Sequence, residues 1–176
     1  MTDRSLTGRR SRASGEMFER WIDSACAYYR ELGIAHIQKT PEPVRILKPY
    51  GERRTGQFVA CFKKQAQPDF KGCLCDGTAI MFDAKHTDSD RINQTVVTEE
   101  QTSDLNEFEK MGAHVYILVG IGMENFYRVP WDVWKNMKEL FGHKHMDRTD
   151  LEPYRLKEAG TTILFLEGIE LEDTAE

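Results

Sequence analysis

The sequence predicts a single α/β domain in which helices flank a mixed central sheet. A chain of 176 residues is long enough for one ordinary domain and too short for two, since single domains cluster at roughly 100 to 150 residues. Apolar residues recur at helical spacing near the start, and extended runs alternate with helical segments through the rest of the chain. That alternation is typical of a sheet covered by helices.

The first element is a basic arm followed by an amphipathic helix. Residues 1–13 are polar and show no hydrophobic period, so we expect a flexible arm. Ser14 is a suitable helix cap, and apolar residues then recur at steps of three and four until a glycine suits the end of the helix. We therefore expect one ordered domain at residues 14–166 and an acidic tail at residues 167–176.

The middle of the chain predicts strands and a hairpin. Prolines and glycines separate extended runs at residues 35–39, 44–48 and 57–62, which we interpret as strands joined by a basic, turn-rich excursion. Two further runs, at residues 70–74 and 78–85, lie on either side of an Asp-Gly dipeptide, which is typical of tight hairpin turns.

The second half predicts alternating helices and strands. A run with apolar residues at three-residue steps indicates a surface helix, and a short run of almost only apolar residues indicates a strand buried on both faces. A proline then suits the start of a further helix. The elements are expected at residues 98–111 (helix), 113–119 (strand), 126–129 (strand), 130–141 (helix) and 161–166 (strand).

Composition and charge narrow the class of protein. The chain is 40% hydrophobic and 30% charged, which is typical of a globular protein, and its apolar runs are far shorter than the ~20 residues that span a bilayer. The basic N-terminus has no apolar stretch behind it, so we expect a cytoplasmic protein without a membrane partner. Residues 1–71 carry 14 basic and 8 acidic residues, whereas residues 72–176 carry 10 and 21. This asymmetry favours a nucleic-acid-binding surface, although a solvated acidic tail produces it too.

Three charged residues of the central hairpin are the candidate site. Asp83 and Lys85 are two residues apart and must lie on the same side of their strand, and the Asp-Gly turn folds Asp69 back beside them. Their neighbours in the strand are apolar, and charges are rarely placed there without partners. One reading is a structural contact between Asp83 and Lys85. The other is a divalent metal held by the two carboxylates, with the lysine neutralising charge on a phosphate.

The types and order of these residues resemble a known signature. Pro68-Asp69, followed by Asp83-Ala84-Lys85, resembles the PD-(D/E)xK signature of the restriction-endonuclease-like superfamily. Further segments, in the same order along the chain, resemble the RecU-type Holliday junction resolvases. They lie at residues 15–19, 33–44, 67–72, 82–87 and 127–131, together with Gln101 and Leu105.

This resemblance implies a fold, an activity and a set of site residues. It implies a restriction-endonuclease-like core with a protruding β stalk at about residues 41–62, and a homodimeric, Mg²⁺-dependent endonuclease that cuts four-way DNA junctions in recombination and repair, with Mn²⁺ as an alternative ion. The implied catalytic residues are Asp69, Asp83, Lys85 and Glu19, and the implied metal ligands are Asp69, Asp83, Gln101 and Gln67.

Two of these positions depart from the family pattern. Gln67 stands where the family often has a threonine, so the fourth ligand position differs in chemistry. Asp83 replaces the more usual glutamate, which shortens the reach of that carboxylate by one methylene. We therefore expect a slightly contracted active centre.

The basic residues of the first half are the candidate DNA contacts. The stalk would enter the middle of an open junction, where its charges meet phosphates with little regard to base identity. Solvated loop charge is the alternative for each residue taken singly. The set comprises Arg9, Arg10 and Arg12 in the arm, Arg45, Lys48, Arg53 and Arg54 in the stalk, Lys63 and Lys64 at its base, and Lys71.

Two rival functions stay open on the sequence. One is a nuclease of the same fold that acts on other branched or linear DNA, because junction selectivity depends on dimer geometry. The other is a DNA-binding recombination factor without cleavage. The joint presence of Asp69, Asp83 and Lys85 argues against that factor, because pure binding gains little from acidic residues that face phosphates.

Overall fold

The structure is a computed structural model that describes residues 3–51, 56–62, 67–159 and 162–169. Its helices are α1 (Asp3–Glu31), α2 (Glu99–Lys110), α3 (Trp131–Lys135), α4 (Met137–Phe141) and α5 (Arg148–Leu151). Its strands are β1 (Ala35–Lys39), β2 (Val44–Pro49), β3 (Phe58–Phe62), β4 (Phe70–Leu74), β5 (Ala79–Thr87), β6 (Arg91–Asn93), β7 (His114–Ile121), β8 (Asn125–Pro130), β9 (His145–Asp147), β10 (Glu158–Ala159) and β11 (Thr162–Ile163).

A five-stranded mixed sheet forms the centre of the domain. Its strand order is β1-β4-β5-β7-β8, in which β5 and β7 are parallel and the other neighbours are antiparallel. The parallel pair requires a crossover, and α2 lies in the segment that provides it. The predicted fold class, a mixed sheet flanked by helices, is confirmed.

The two faces of the sheet are covered by different helices. Helix α1 packs against β1, β5 and β11, whereas α2 packs against β5 and β7 and α3 against β7 and β8. Successive side chains of a strand point to opposite faces, so Phe82 joins the core under α1 while its neighbour Asp83 points to the face under α2. The first core contains Phe18, Ile22, Ala25, Tyr29, Phe70, Ile80, Phe82, Tyr116 and Phe165, and the second contains Leu105, Val115, Ile117, Val119, Val129, Trp131 and Trp134.

Helix α1 begins earlier than the sequence predicted. The predicted start at Ser14 is wrong, because the helix begins at Asp3 and includes most of the expected basic arm. The segment lacks proline, and Gly8 is its single glycine before residue 14. A helix can therefore continue through it even though it lacks an apolar stripe. The side chains of Arg9 and Arg10 lie outside the described residues, and the flexibility of the arm stays a prediction.

The excursion after β1 forms a separate two-stranded sheet. Strands β2 and β3 pair only with each other in the described part of the chain, and all their residues are exposed except half-buried Val59. A bulge at Leu47 shifts the register, so Arg45 pairs with Cys61 and Lys48 with Val59. Directly paired residues share a face, so the bulge brings both basic side chains to the same face.

The C-terminal half differs from the predicted elements in several places. The helix expected at residues 130–141 is two short helices that meet at Asn136, and the last strand is shortened to Thr162–Ile163. The short pair β6 and β9, helix α5 and strand β10 were not predicted. The predicted acidic tail begins at residue 167, and its part beyond Ile169 lies outside the described residues. Among the described helices, none combines the length and the apolar character needed to span a bilayer.

Candidate active site

The β4–β5 hairpin brings the two predicted carboxylates together. Phe70 pairs with Phe82, which places Asp69 opposite Asp83 one step further along both strands. The backbone amide of Asp69 donates a hydrogen bond to Asp83 Oδ1 at 2.9 Å, and the amide of Ala84 donates to Asp69 Oδ2 at 3.1 Å. Each carboxylate is thus held by the backbone of the opposite strand.

Lys85 contacts both carboxylates. Its Nζ lies 3.2 Å from Asp83 Oδ2 and 3.5 Å from Asp69 Oδ2. Because Lys85 follows Asp83 by two residues on β5, both side chains leave the strand on the same face. The structure therefore brings together the three residues that the sequence singled out.

The site is more buried at Asp83 than at its entrance. The side chain of Asp83 has 0% exposure, whereas those of Lys85 and Asp69 have 17% and 26%. Burial raises the pKa of Asp83, the charge of Lys85 opposes this effect, and the nearby Asp69 adds to it. The solvent-facing side of the group is thus formed by Asp69 and Lys85.

One oxygen of this group faces only the ammonium of Lys85. Asp83 Oδ2 is buried and lies 3.2 Å from Lys85 Nζ, and no other donor reaches it among the described residues. A carboxylate oxygen can accept from more than one partner, so this oxygen has capacity left for another. A hard divalent cation suits this position, because such ions take carboxylate oxygens as ligands.

The donor set is small but fits Mg²⁺. No cluster of three His, Cys, Asp or Glu side chains with metal-binding spacing occurs in the described part of the chain. Mg²⁺ usually keeps several waters and binds through one or two carboxylates plus substrate phosphates. Asp69 and Asp83 supply that number, so the residues present fit the ion.

Gln101 lies on the same side of the sheet, where its side chain caps the start of its own helix. It is buried near the start of α2, where its amide oxygen accepts a hydrogen bond from the backbone amide of Thr98 at 3.2 Å. Thr98 Oγ1 accepts from the backbone amide of Gln101 in return, which completes a capping box. A role of Gln101 as a metal ligand stays a prediction.

Gln67 and Lys71 interact near the start of β4. Both side chains are exposed, and Lys71 Nζ donates to the Gln67 amide oxygen at 3.2 Å. The role of Gln67 at the metal and that of Lys71 at DNA both stay predictions.

Glu19 is paired with a residue that the sequence analysis did not single out. Lys39 Nζ lies 2.6 Å from Glu19 Oε2, and this contact raises the pKa of Lys39. Glu19 and Lys85 both line a cavity of about 330 Å³ between α1 and the end of β5. The pairing of Lys39 with Glu19 depends on how β1 packs against α1, which local sequence patterns do not reveal.

A larger cavity than this one lies elsewhere. It has a volume of about 620 Å³ and is lined by Thr78, His114 and Arg128, near the turn at the other end of the hairpin. None of the predicted site residues lines it. The carboxylate group is the better candidate because chemistry depends on the residues that converge, and not on cavity size.

The predicted DNA contacts are partly described. Arg12, Arg45 and Lys48 are exposed, and the last two share a face of the β2–β3 sheet. The others in the stalk and at its base lie outside the described residues: Arg53, Arg54, Lys63 and Lys64.

Known proteins resemble this chain in sequence. Proteins named Holliday junction resolvase RecU match from Pediococcus pentosaceus (32% identity over 108 residues, covering 60% of this chain and 53% of that protein) and from Bacillus pumilus (27% over 157 residues, covering 85% and 76%). A third, from Streptococcus equi subsp. zooepidemicus, is 40% identical over 75 residues, covering 42% of this chain and 37% of that protein. The match thus spans about half the length of the first of these relatives.

A solved structure and a family profile were also found. The structure is that of Hjc, a Holliday junction resolvase of Archaeoglobus fulgidus, with a TM-score of 0.47 and 12% identity, covering 78% of this chain and 91% of that one. The profile of the family described as Recombination protein U matches residues 13–171. Since this match covers most of the sequence, the chain belongs to the RecU family.

Proposed function

We propose that the chain is a metal-dependent endonuclease that resolves four-way DNA junctions in recombination and repair. One observation carries the proposal: Asp69, Asp83 and Lys85 converge in a chain of the RecU family. The names of the RecU relatives support the same reaction. The preferred ion is Mg²⁺, with Mn²⁺ as a substitute.

The site residues have distinct tasks in phosphodiester hydrolysis. A bound divalent cation supplies Lewis-acid polarisation of the phosphoryl oxygen and a water of lowered pKa. Asp69 and Asp83 would hold the ion, and their hydrogen bonds to the backbone of the opposite strands fix their orientation before substrate arrives. The ammonium of Lys85 offsets the negative charge that develops on the phosphate.

Binding of DNA is assigned to the basic residues away from this site. Arg45 and Lys48 project from the same face of an exposed hairpin, where they can reach phosphates without disturbing the sheet. A junction has two-fold related strands to be cut, so we propose a homodimer that presents two such sites. We also propose a cytoplasmic location, which agrees with a DNA substrate.

The test is a cleavage assay with purified protein. Immobile four-way junctions, linear duplex and single-stranded DNA are incubated with and without Mg²⁺, and Mn²⁺ replaces Mg²⁺ in a parallel series. We expect metal-dependent cleavage of the junction in preference to the other substrates. Equal cleavage of duplex would favour a general nuclease of the same fold, and binding without cleavage would favour a non-cleaving recombination factor.

A further inference from the structure

A threonine next to the carboxylate pair has a buried hydroxyl without a hydrogen bond. Thr40 directly follows β1, and its backbone amide donates to the carbonyl oxygen of Asp69 at 2.8 Å. Lys39 pairs with Phe70 in the register of β1 and β4. Thr40 therefore lies opposite Asp69, as Asp83 does on the other side.

The register places these residues in one row on one face of the sheet. Phe70 and Phe82 are paired and both belong to the core under α1, so the residues one step away point to the opposite face. Asp83 occupies that position on β5, and Asp69, which directly precedes β4, is linked to Asp83 and Ala84 by hydrogen bonds. Pro41 disfavours a helical backbone at Thr40, and the amide of Thr40 still donates to Asp69, so we infer that the alternation of β1 continues through Thr40. The row is thus Thr40, Asp69 and Asp83.

The hydroxyl of Thr40 is unusual in its environment. Thr40 is 5% exposed, and its Oγ1 has no hydrogen-bond partner within the described part of the chain. Buried hydroxyls normally find a partner because an unsatisfied one destabilises the fold. Asp69 thus lies between the unsatisfied Thr40 Oγ1 on one side and Asp83, whose Oδ2 has Lys85 as its partner, on the other.

We propose that Thr40 is a further metal-site residue, whose hydroxyl supplies a neutral oxygen to the cation held by Asp69 and Asp83. This inference rests on the proposed function, since it assumes that the carboxylates bind a divalent ion. Mg²⁺ prefers oxygen ligands, and a threonine hydroxyl can serve as one of them beside carboxylates. The amide oxygen of Gln67, the other candidate near Asp69, accepts from Lys71 instead.

The experiment measures metal binding without DNA. The affinities of the wild type, Thr40→Val and Thr40→Ser for Mn²⁺ are determined by the electron paramagnetic resonance signal of the free ion. Valine has the shape of threonine without the hydroxyl, whereas serine keeps it. We expect Thr40→Val to bind Mn²⁺ about 10- to 100-fold more weakly and Thr40→Ser to bind it nearly as well as the wild type. Thr162→Val, which removes a threonine hydroxyl in β11, should leave the affinity unchanged.

Thermal melts with and without metal separate a loss of metal binding from a loss of fold stability. If Thr40 Oγ1 has no protein partner, Thr40→Val should melt at the same or a higher temperature than the wild type without metal, and added Mn²⁺ should raise its melting temperature less. A marked fall in the metal-free melting temperature would overturn the proposal, because it would reveal a structural partner of the hydroxyl. Unchanged Mn²⁺ affinity in Thr40→Val, or equal weakening in both Thr40 variants, would overturn it as well.

Asp69→Asn separates this inference from the proposed function. If Asp69→Asn loses Mn²⁺ binding and Thr40→Val does not, only the role of Thr40 is wrong. If Asp69→Asn binds Mn²⁺ like the wild type, the assignment of the whole site is wrong, and the inference fails with it.

Discussion

Two antiparallel hairpins of this molecule are built in opposite ways. The β4–β5 hairpin lies inside the five-stranded sheet, and Phe70, Ile80 and Phe82 on it are fully buried. The β2–β3 hairpin pairs with no other described strand, and even its large apolar residues Ile46 and Phe62 are 60% and 73% exposed. The first holds charged groups in fixed positions, and the second displays them to solvent.

This difference suits the buried hairpin to catalysis and the exposed hairpin to recognition of DNA. A reacting phosphate needs charged groups held to within a fraction of an ångström, which a packed sheet provides. Contacts to the DNA backbone need accessible charge more than fixed geometry, since they depend on the number of phosphates neutralised. Changes in the buried hairpin should therefore affect cleavage, and changes in the exposed hairpin should affect binding.

The largest effect is expected for the carboxylates. Asp69→Asn or Asp83→Asn should abolish cleavage, because each removes a charge needed to hold the ion, while junction binding stays largely intact. Cleavage and gel-shift assays with the same protein preparation measure both. Full activity in either variant would remove the basis for this site.

Lys85→Ala should reduce the cleavage rate by two or more orders of magnitude. The loss of one preorganised stabilising donor typically raises the barrier by about 3 to 4 kcal/mol. Single-turnover kinetics on a four-way junction measure this, with Lys110→Ala as a control because that lysine pairs with Glu107 on the exposed side of α2. An unchanged rate would mean that Lys85 is a structural partner only.

Gly72→Ala should destabilise the buried hairpin. A Cβ at Gly72 would lie 2.1 Å from the carbonyl oxygen of His36 and 2.6 Å from Ile37 Cα, so β1 must move away from β4. Overpacking of this kind typically costs about 1 to 3 kcal/mol. Chemical denaturation measures the loss, and Gly8→Ala is the control because its added Cβ meets nothing within 4 Å. Equal stability of the two variants would contradict the tight approach of these strands.

The smallest effect per residue is expected for the basic residues of the predicted stalk. Alanine at Arg45, Lys48, Arg53 and Arg54 should weaken junction binding more than duplex binding, and the logarithmic salt dependence should become shallower by about 0.9 per lost phosphate contact. Competition between junction and duplex at several salt concentrations measures both quantities. An equal loss of binding to junction and duplex would show that the hairpin is a basic surface without a preference for junctions.

The comparison also explains what the sequence could predict. The bounds of β1 and β4 were predicted correctly, and the predicted mixed sheet flanked by helices is confirmed. Asp83 and Lys85 were recognisable because charges at a two-residue step interrupt an apolar strand, which is a local signal. The Asp-Gly turn then determined that Asp69 folds back beside them.

Features that depend on contacts between distant segments were missed. The site of Thr40 depends on the register between β1 and β4, and the ion pair of Lys39 with Glu19 depends on the packing of α1. Neither leaves a periodic pattern in the sequence. The start of α1 was missed for another reason, because a polar helix without an apolar stripe has no hydrophobic period to detect.

The most direct test of the division between the two hairpins is single-turnover cleavage of a four-way junction at saturating protein. The wild type, Asp83→Asn and the variant with alanine at Arg45 and Lys48 are compared in Mg²⁺. We predict that Asp83→Asn stays inactive when all the junction is bound, whereas the hairpin variant regains nearly the wild-type rate. Cleavage by bound Asp83→Asn, or a persistent rate defect in the fully bound hairpin variant, would contradict the separation of chemistry from recognition.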